Sequence, residues 1–110
     1  MSIEKSTLDE LVKGILEAIG KTVNAIILYG SVARGTAGKE SDVDVALIIN
    51  EPLSAADDDK LTDFIVDMNL KYGKVFSVID IPDTEYKHWQ NVSPFYRNVM
   101  KEGVVLWKAA

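Results

Sequence analysis

The 110-residue chain predicts an α/β domain, α+β in its element order, with one sheet covered by helices. Three observations carry that prediction. Apolar residues recur at helical spacing in two long stretches. Short runs rich in Ile, Val and Leu fall between and after them. Glycine, serine and proline stand where one period gives way to the next. No internal repeat, low-complexity tract or linker breaks the pattern, so residues 1–110 read as a single domain.

Leu8, Leu11, Val12, Ile15, Leu16 and Ile19 mark one face of a first helix, which Ser6 or Thr7 can cap and Gly20 can end. Ala25-Ile26-Ile27-Leu28-Tyr29 follows as a buried strand. Gly30 to Ser41 holds three of the seven glycines and reads as a loop with one helical turn near Val32 to Arg34. Asp42 to Ile49 is a second strand. Its period of two puts Asp42, Asp44, Ala46 and Ile48 on one face, and Val43, Val45, Leu47 and Ile49 on the other. Ser54, with Asp57 three residues on, opens a helix whose stripe is Leu61, Phe64, Ile65, Met68 and Tyr72, and Gly73 stops it. Val75 to Ile81 is a third strand ended by Pro82, and Asp83 to Trp89 a short helix. Ser93-Pro94 caps and opens a further helix that Gly103 ends. Val104-Val105-Leu106-Trp107 is a last, edge strand.

The charge balance narrows the function classes. Twelve Lys+Arg face 17 Asp+Glu, a net −5, and there is no cysteine. Disulfide scaffolds and cysteine-based zinc or iron–sulfur sites are excluded, and static binding of a nucleic-acid backbone is disfavoured. A hydrophobic share of 47% argues against disorder. The start Met1-Ser2-Ile3-Glu4-Lys5 lacks a basic segment followed by an apolar run, and no apolar run reaches membrane-span length, so a cytoplasmic protein without a membrane role is expected. Glu51 to Tyr72 alone holds six acids and two lysines.

The chemistry concentrates in Gly30-Ser31-Val32-Ala33-Arg34-Gly35 and Ser41-Asp42-Val43-Asp44. Glycine lets the backbone turn sharply and lets a phosphate approach the amides, Ser31 adds a hydroxyl donor, and Arg34 adds a cation for phosphate oxygens. Asp42 and Asp44 project to one strand face, where they can converge on a divalent ion. Taken separately, a Gly-Ser turn and a pair of strand-start aspartates are as readily structural. Together they point to a site. Asp44 lies inside an otherwise apolar run although aspartate is a poor strand residue, and two like charges on one face call for a neutralising partner.

Leu28 to Gly35, ten residues between Ser31 and Asp42, and then Asp42-Val43-Asp44 resemble the signature of the minimal nucleotidyltransferases, part of the DNA polymerase β-like nucleotidyltransferase superfamily. The segment from Pro94 to Leu106 resembles the C-terminal end of one branch of these proteins. The resemblance implies a short mixed β-sheet packed with helices and a nucleoside triphosphate substrate. It implies Mg²⁺, two ions with Mn²⁺ as an alternative, and transfer of a nucleotide, AMP from ATP, to a hydroxyl on a protein or small molecule. Gly30 and Ser31 would hold phosphates with Arg34 and Ser41, and Asp42 and Asp44 would be the catalytic, metal-holding pair. Family members are often paired with HEPN-domain proteins as toxin–antitoxin systems, so a HEPN-type partner, or an oligomer that completes the site, is expected.

One position departs from the family pattern. Its third carboxylate, on a later strand, falls at Ser77 here. Asp80 lies three residues on, with the opposite parity in a regular strand, and Asp83 lies beyond Pro82. Three outcomes are open: Ser77 replaces the acid and weakens catalysis, a bulge turns Asp80 into the site, or the acceptor or a partner supplies the ligand. Two functions stay in view, an enzyme and a nucleotide-binding or antitoxin-like module. His88, Lys39 and the Ser93 to Asn98 segment read as surface or packing residues.

Overall fold

The period-two strands divide the chain's apolar residues between two opposite faces of one sheet. The computed structural model describes residues 3–34, 42–89 and 92–109. Its elements are α1 (Lys5–Ile19), a 3-10 turn (Gly20–Thr22), β1 (Val23–Tyr29), α2 (Gly30–Arg34), β2 (Val43–Ile49), α3 (Ala55–Tyr72), β3 (Phe76–Pro82), α4 (Asp83–Trp89), α5 (Pro94–Glu102) and β4 (Val104–Lys108). The sheet order is β3-β2-β1-β4. β1 pairs antiparallel with β2 and β4, and β2 pairs parallel with β3. The sheet is therefore mixed, and α3 is the crossover that a parallel β2–β3 pair requires. β4 is an edge strand, as its sequence predicts.

On one face, Leu11, Ile15 and Ile19 of α1 and Leu61 and Met68 of α3 pack with Val43, Val45, Leu47 and Phe76. On the other, Val99 of α5, with Tyr86 and Tyr96 beside it, packs on Ile27, Ala46, Ile48 and Ile81. Sequence parity in β2 thus sorts correctly, with the Asp44 face turned toward α4 and α5.

Several boundaries differ from the sequence reading. Ser6 and Thr7 lie inside α1: the Thr7 and Leu8 amides bond to the Glu4 carbonyl at 3.1 and 3.2 Å, so Glu4 is the N-cap. Gly20 ends α1 with right-handed angles and leads into the 3-10 turn, not into a left-handed cap. β1 starts two residues early because Val23 pairs with Ile49. Asp42 precedes β2, and Pro82 is the last residue of β3, where an edge strand tolerates the missing donor. Ser54 caps α3 as expected, accepting from the Asp57 amide at 3.1 Å, and Gly73 takes the left-handed conformation at φ 61°.

α1 and α3 meet at two points. A β-carbon on Gly14 would run into the Phe64 ring, so the ring packs directly on the α1 backbone. Mid-helix glycine costs about 0.5–1 kcal/mol, which this contact offsets. At the rim, Lys71 Nζ donates to both Glu10 carboxylate oxygens at 3.0 and 2.9 Å, and the Tyr72 hydroxyl donates to Glu10 Oε1. The Tyr72 bond, then Lys71, holds the Glu10 carboxyl below its ordinary value of 4.5. A carboxyl lowered by folding stabilises above its unfolded pKa, and that contribution fades as pH falls through the folded value. Glu10→Gln is expected to destabilise at about pH 7 and to do so by less at about pH 3. Urea unfolding at both pH values checks it, and a gap independent of pH would sink the clamp.

Candidate active site

β1 leaves the sheet at Tyr29, and the next residue makes the turn. Gly30 has φ +77°, a conformation that costs a residue with a β-carbon about 1–2 kcal/mol. Tyr29 lies directly opposite Asp44 in the antiparallel β1–β2 register. The half-buried Asp44 carboxylate sits against Gly30, in the space that a β-carbon there would occupy. Gly30 is therefore fixed twice, by backbone angle and by the carboxylate. Burial, and then the charge of Asp44, push the Tyr29 phenol above its ordinary value.

The parallel β2–β3 register sets what stands on the other side. The Val43 amide bonds to the Val75 carbonyl at 2.9 Å, and the Phe76 amide bonds to Asn69 Oδ1 of α3 at 2.8 Å. Pairing then runs without a shift from Val43↔Phe76 to Ile49↔Pro82. Asp44 faces Ser77, and Leu47 faces Asp80. Tyr29, Asp44 and Ser77 form one row across three strands. Asp80 lies on the α3 side, exposed, in a groove with Leu61, Thr62 and Ile65. The unbroken register leaves no bulge to bring it round. Asp83 opens α4 and pairs with Lys87 at 3.2 Å.

Asp42 is exposed, immediately before β2. Ser31 and Arg34 are placed by backbone only, in α2, while Ser41 and Lys39 lie outside the described residues. His88 is exposed on α4, which follows the far end of β3 from Ser77. Among the described residues, no three His, Cys, Asp or Glu side chains cluster closely enough to hold a metal by themselves. No helix among them is long and apolar enough to cross a membrane.

The sequence reading did not name the aromatic row that packs α5 beside this turn. α5 packs on β1 and α2, and its Phe95 ring meets the Tyr29 ring edge-on, with centroids 5.7 Å apart at 88°. Phe95 also meets Tyr96 at 5.6 Å, and Tyr96 meets Tyr86 at 6.1 Å. The one local signal was that Tyr29 precedes Gly30; nothing near Phe95 in sequence names its partner. The contact between Gly30 and Asp44 yields a coupling prediction. Gly30→Ala is expected to cost more than the ~1–2 kcal/mol of its backbone angle, because the Asp44 carboxylate must also move. Asp44→Ala removes that second part, so the double variant is expected to lose less than the sum of the singles in urea unfolding. Strict additivity would rule the contact out.

Comparisons with known proteins bear on the same segments. Residues 10–110 match the family model for polymerase beta nucleotidyltransferase. A Methanocaldococcus jannaschii protein, MJ0604, named as a protein adenylyltransferase, is 35% identical over 104 residues, covering 94% of this chain and 98% of that one. A second protein of that organism with the same name, MJ1305, is 40% identical over 68 residues, 60% of this chain and 46% of its own length. The fold is shared with an antitoxin chain solved with a Shewanella oneidensis tri-AMPylated HEPN toxin, at a TM-score of 0.63 and 15% identity, covering 97% of this chain and 74% of that one. It is also shared with a chain of a toxin–antitoxin structure containing AMP-PNP, at a TM-score of 0.64 and 18% identity, covering 93% of this chain and 73% of that one. The full-length likeness to MJ0604 and the family match place the segments around Gly30 and Asp44 in a known lineage: this chain belongs to the polymerase beta nucleotidyltransferase family and is a nucleotidyltransferase.

Proposed function

We propose that this nucleotidyltransferase moves AMP from ATP to a hydroxyl of a protein, with a HEPN-type toxin as the acceptor and this chain as the antitoxin. The observation that carries the reading is the seat of Asp44 on Gly30, which joins a phosphate-binding turn to a carboxylate pair. The names of the M. jannaschii relatives and the AMPylated HEPN toxin of a solved complex support the protein acceptor. A cytoplasmic setting accords with ATP as donor.

In this reading the backbone at Gly30 and the Ser31 hydroxyl hold the β- and γ-phosphates, while Arg34 and Ser41 complete the phosphate contacts. Gly30 has no side chain to block that approach. The acceptor oxygen forms a bond to the α-phosphorus, the bond from that phosphorus to the bridging oxygen breaks, and pyrophosphate and a proton leave. Asp42 and Asp44 offer only hard oxygen ligands, one exposed and one half-buried, a set that suits Mg²⁺ or Mn²⁺. Two such ions, held between the pair and the triphosphate, would offset charge on the transferred and leaving groups. Binding in this geometry would also hold the acceptor in line with the leaving group.

The Asp44–Ser77 pairing favours a second reading, a nucleotide-binding or partner-binding module with weakened catalysis. In that case the acceptor or partner supplies the missing ligand, or transfer does not occur. Calorimetry with ATP and Mg²⁺ is expected to show metal-dependent binding that Asp42→Asn and Asp44→Asn each weaken by more than about tenfold, roughly 1.4 kcal/mol. No binding by the wild type would refute the nucleotide reading. With labelled ATP and the HEPN-type product of a neighbouring gene, label should reach the toxin and be lost in Asp44→Asn. A tight complex without label would favour the module, and Ser77→Asp is then expected to raise metal affinity and restore transfer.

A further inference from the structure

We propose that Phe95 is the residue on which the base of the nucleotide stacks, and that it makes the site selective for purine nucleoside triphosphates. The inference rests on the nucleotide reading above and adds a base-recognition wall to it.

Geometry places the ring. Tyr29 is opposite Asp44 in the β1–β2 register and directly precedes Gly30, so it flanks the phosphate turn. Phe95 packs on Tyr29, its centroid 5.7 Å from that of Tyr29 at 88°. Its only other ring contact among the described residues is tilted, to Tyr96 at 5.6 Å and 60°. No described ring lies parallel on it, and 43% of the residue stays exposed. The two contacts fix where the ring sits and leave the residue partly exposed. Tyr96 is itself held by Tyr86, so the row is anchored on α4 as well as on β1.

Chemistry then selects the ligand. Phe95 offers a partly exposed aromatic ring whose position is fixed by Tyr29, next to the proposed phosphate turn, and a nucleobase is the planar part of the substrate. Holding the ring in advance lowers the ordering cost when the base arrives. Stacking tolerates any base but strengthens with ring area, which favours adenine and guanine over cytosine and uracil. A packing role alone would hold α5 on β1 and make no distinction between bases.

The test titrates ATP, CTP and inorganic tripolyphosphate, each with Mg²⁺, into the whole chain by calorimetry. Phe95→Ala is expected to weaken ATP about 5- to 150-fold, to weaken CTP less, and to leave tripolyphosphate unchanged. Phe95→Trp is expected to keep or tighten ATP. Should the alanine variant fail to fold, Phe95→Leu keeps the apolar bulk without the π face and is expected to give the same base-selective loss. Equal losses for ATP and tripolyphosphate would overturn the proposal, since Phe95 would then only prop the phosphate site. Unchanged ATP binding in Phe95→Ala and Phe95→Leu would overturn it too. A wild type that binds ATP no better than tripolyphosphate overturns the stacking wall and leaves the phosphate reading standing. A wild type that binds neither overturns the phosphate reading and the proposal with it.

Discussion

The antiparallel pairing of β1 with β2 is the constraint on which the site depends. It puts Tyr29 opposite Asp44, so the residue after Tyr29 must pass under the Asp44 carboxylate. Thirteen positions separate Gly30 from Asp44 in sequence, yet in space they are in contact. A slip of one residue would turn Asp44 into the α1–α3 core and bring Val43 or Val45 to the site, because a strand's faces alternate. The apolar cost of that slip is large: Val43, Val45, Leu47 and Ile49 are each at most 2% exposed. The same hydrophobic register that holds the sheet therefore holds the carboxylate in place.

The register extends the constraint to β3. Asn69 near the end of α3 captures the Phe76 amide, and the parallel ladder then fixes Ser77 beside Asp44. A carboxylate at Ser77 would put a second acid in the row, beside Asp44. A carboxylate at Asp80 belongs to the opposite face, next to the buried Leu47 position, and serves the solvent beside α3. The chain thus brings one half-buried acid to the row, with Asp42 exposed at its entrance.

What the sequence made legible follows from local periodicity. Alternation in β2 separated the Asp44 face from the core face, the helical stripe of α3 named Leu61 and Met68, and parity alone set Ser77 apart from Asp80. What it hid is non-local or depends on a single backbone group. The start of α1 is set by the Glu4 carbonyl, to which no side chain draws attention, and glycine at position 20 takes ordinary helical angles because a 3-10 turn follows. That β4 lies beside β1, and not beside β3, is a choice between two free edges that no local pattern records. The Tyr29–Phe95 contact joins residues that share no spacing rule, so it emerges only once α5 has docked.

The acidic balance of the chain acquires a direction in the fold. Glu51 to Tyr72 carries a net −4, and most of it is on α3, where Asp58, Asp59, Asp63 and Asp67 are exposed. α3 packs on the sheet face opposite Asp44, and Asp80 projects to that same side. Solvated charges there lie behind the sheet from the Gly30 turn, and salt screens them over about 8 Å at physiological ionic strength. Of the acids of β2 and α3, Asp44 alone lies on the Gly30 side of the sheet, with Asp42 exposed just before β2. In the proposed nucleotide site a divalent ion would neutralise that pair. A net charge of −5 is thus compatible with the proposed anionic substrate, because the exposed acids of α3 lie across the sheet from Gly30.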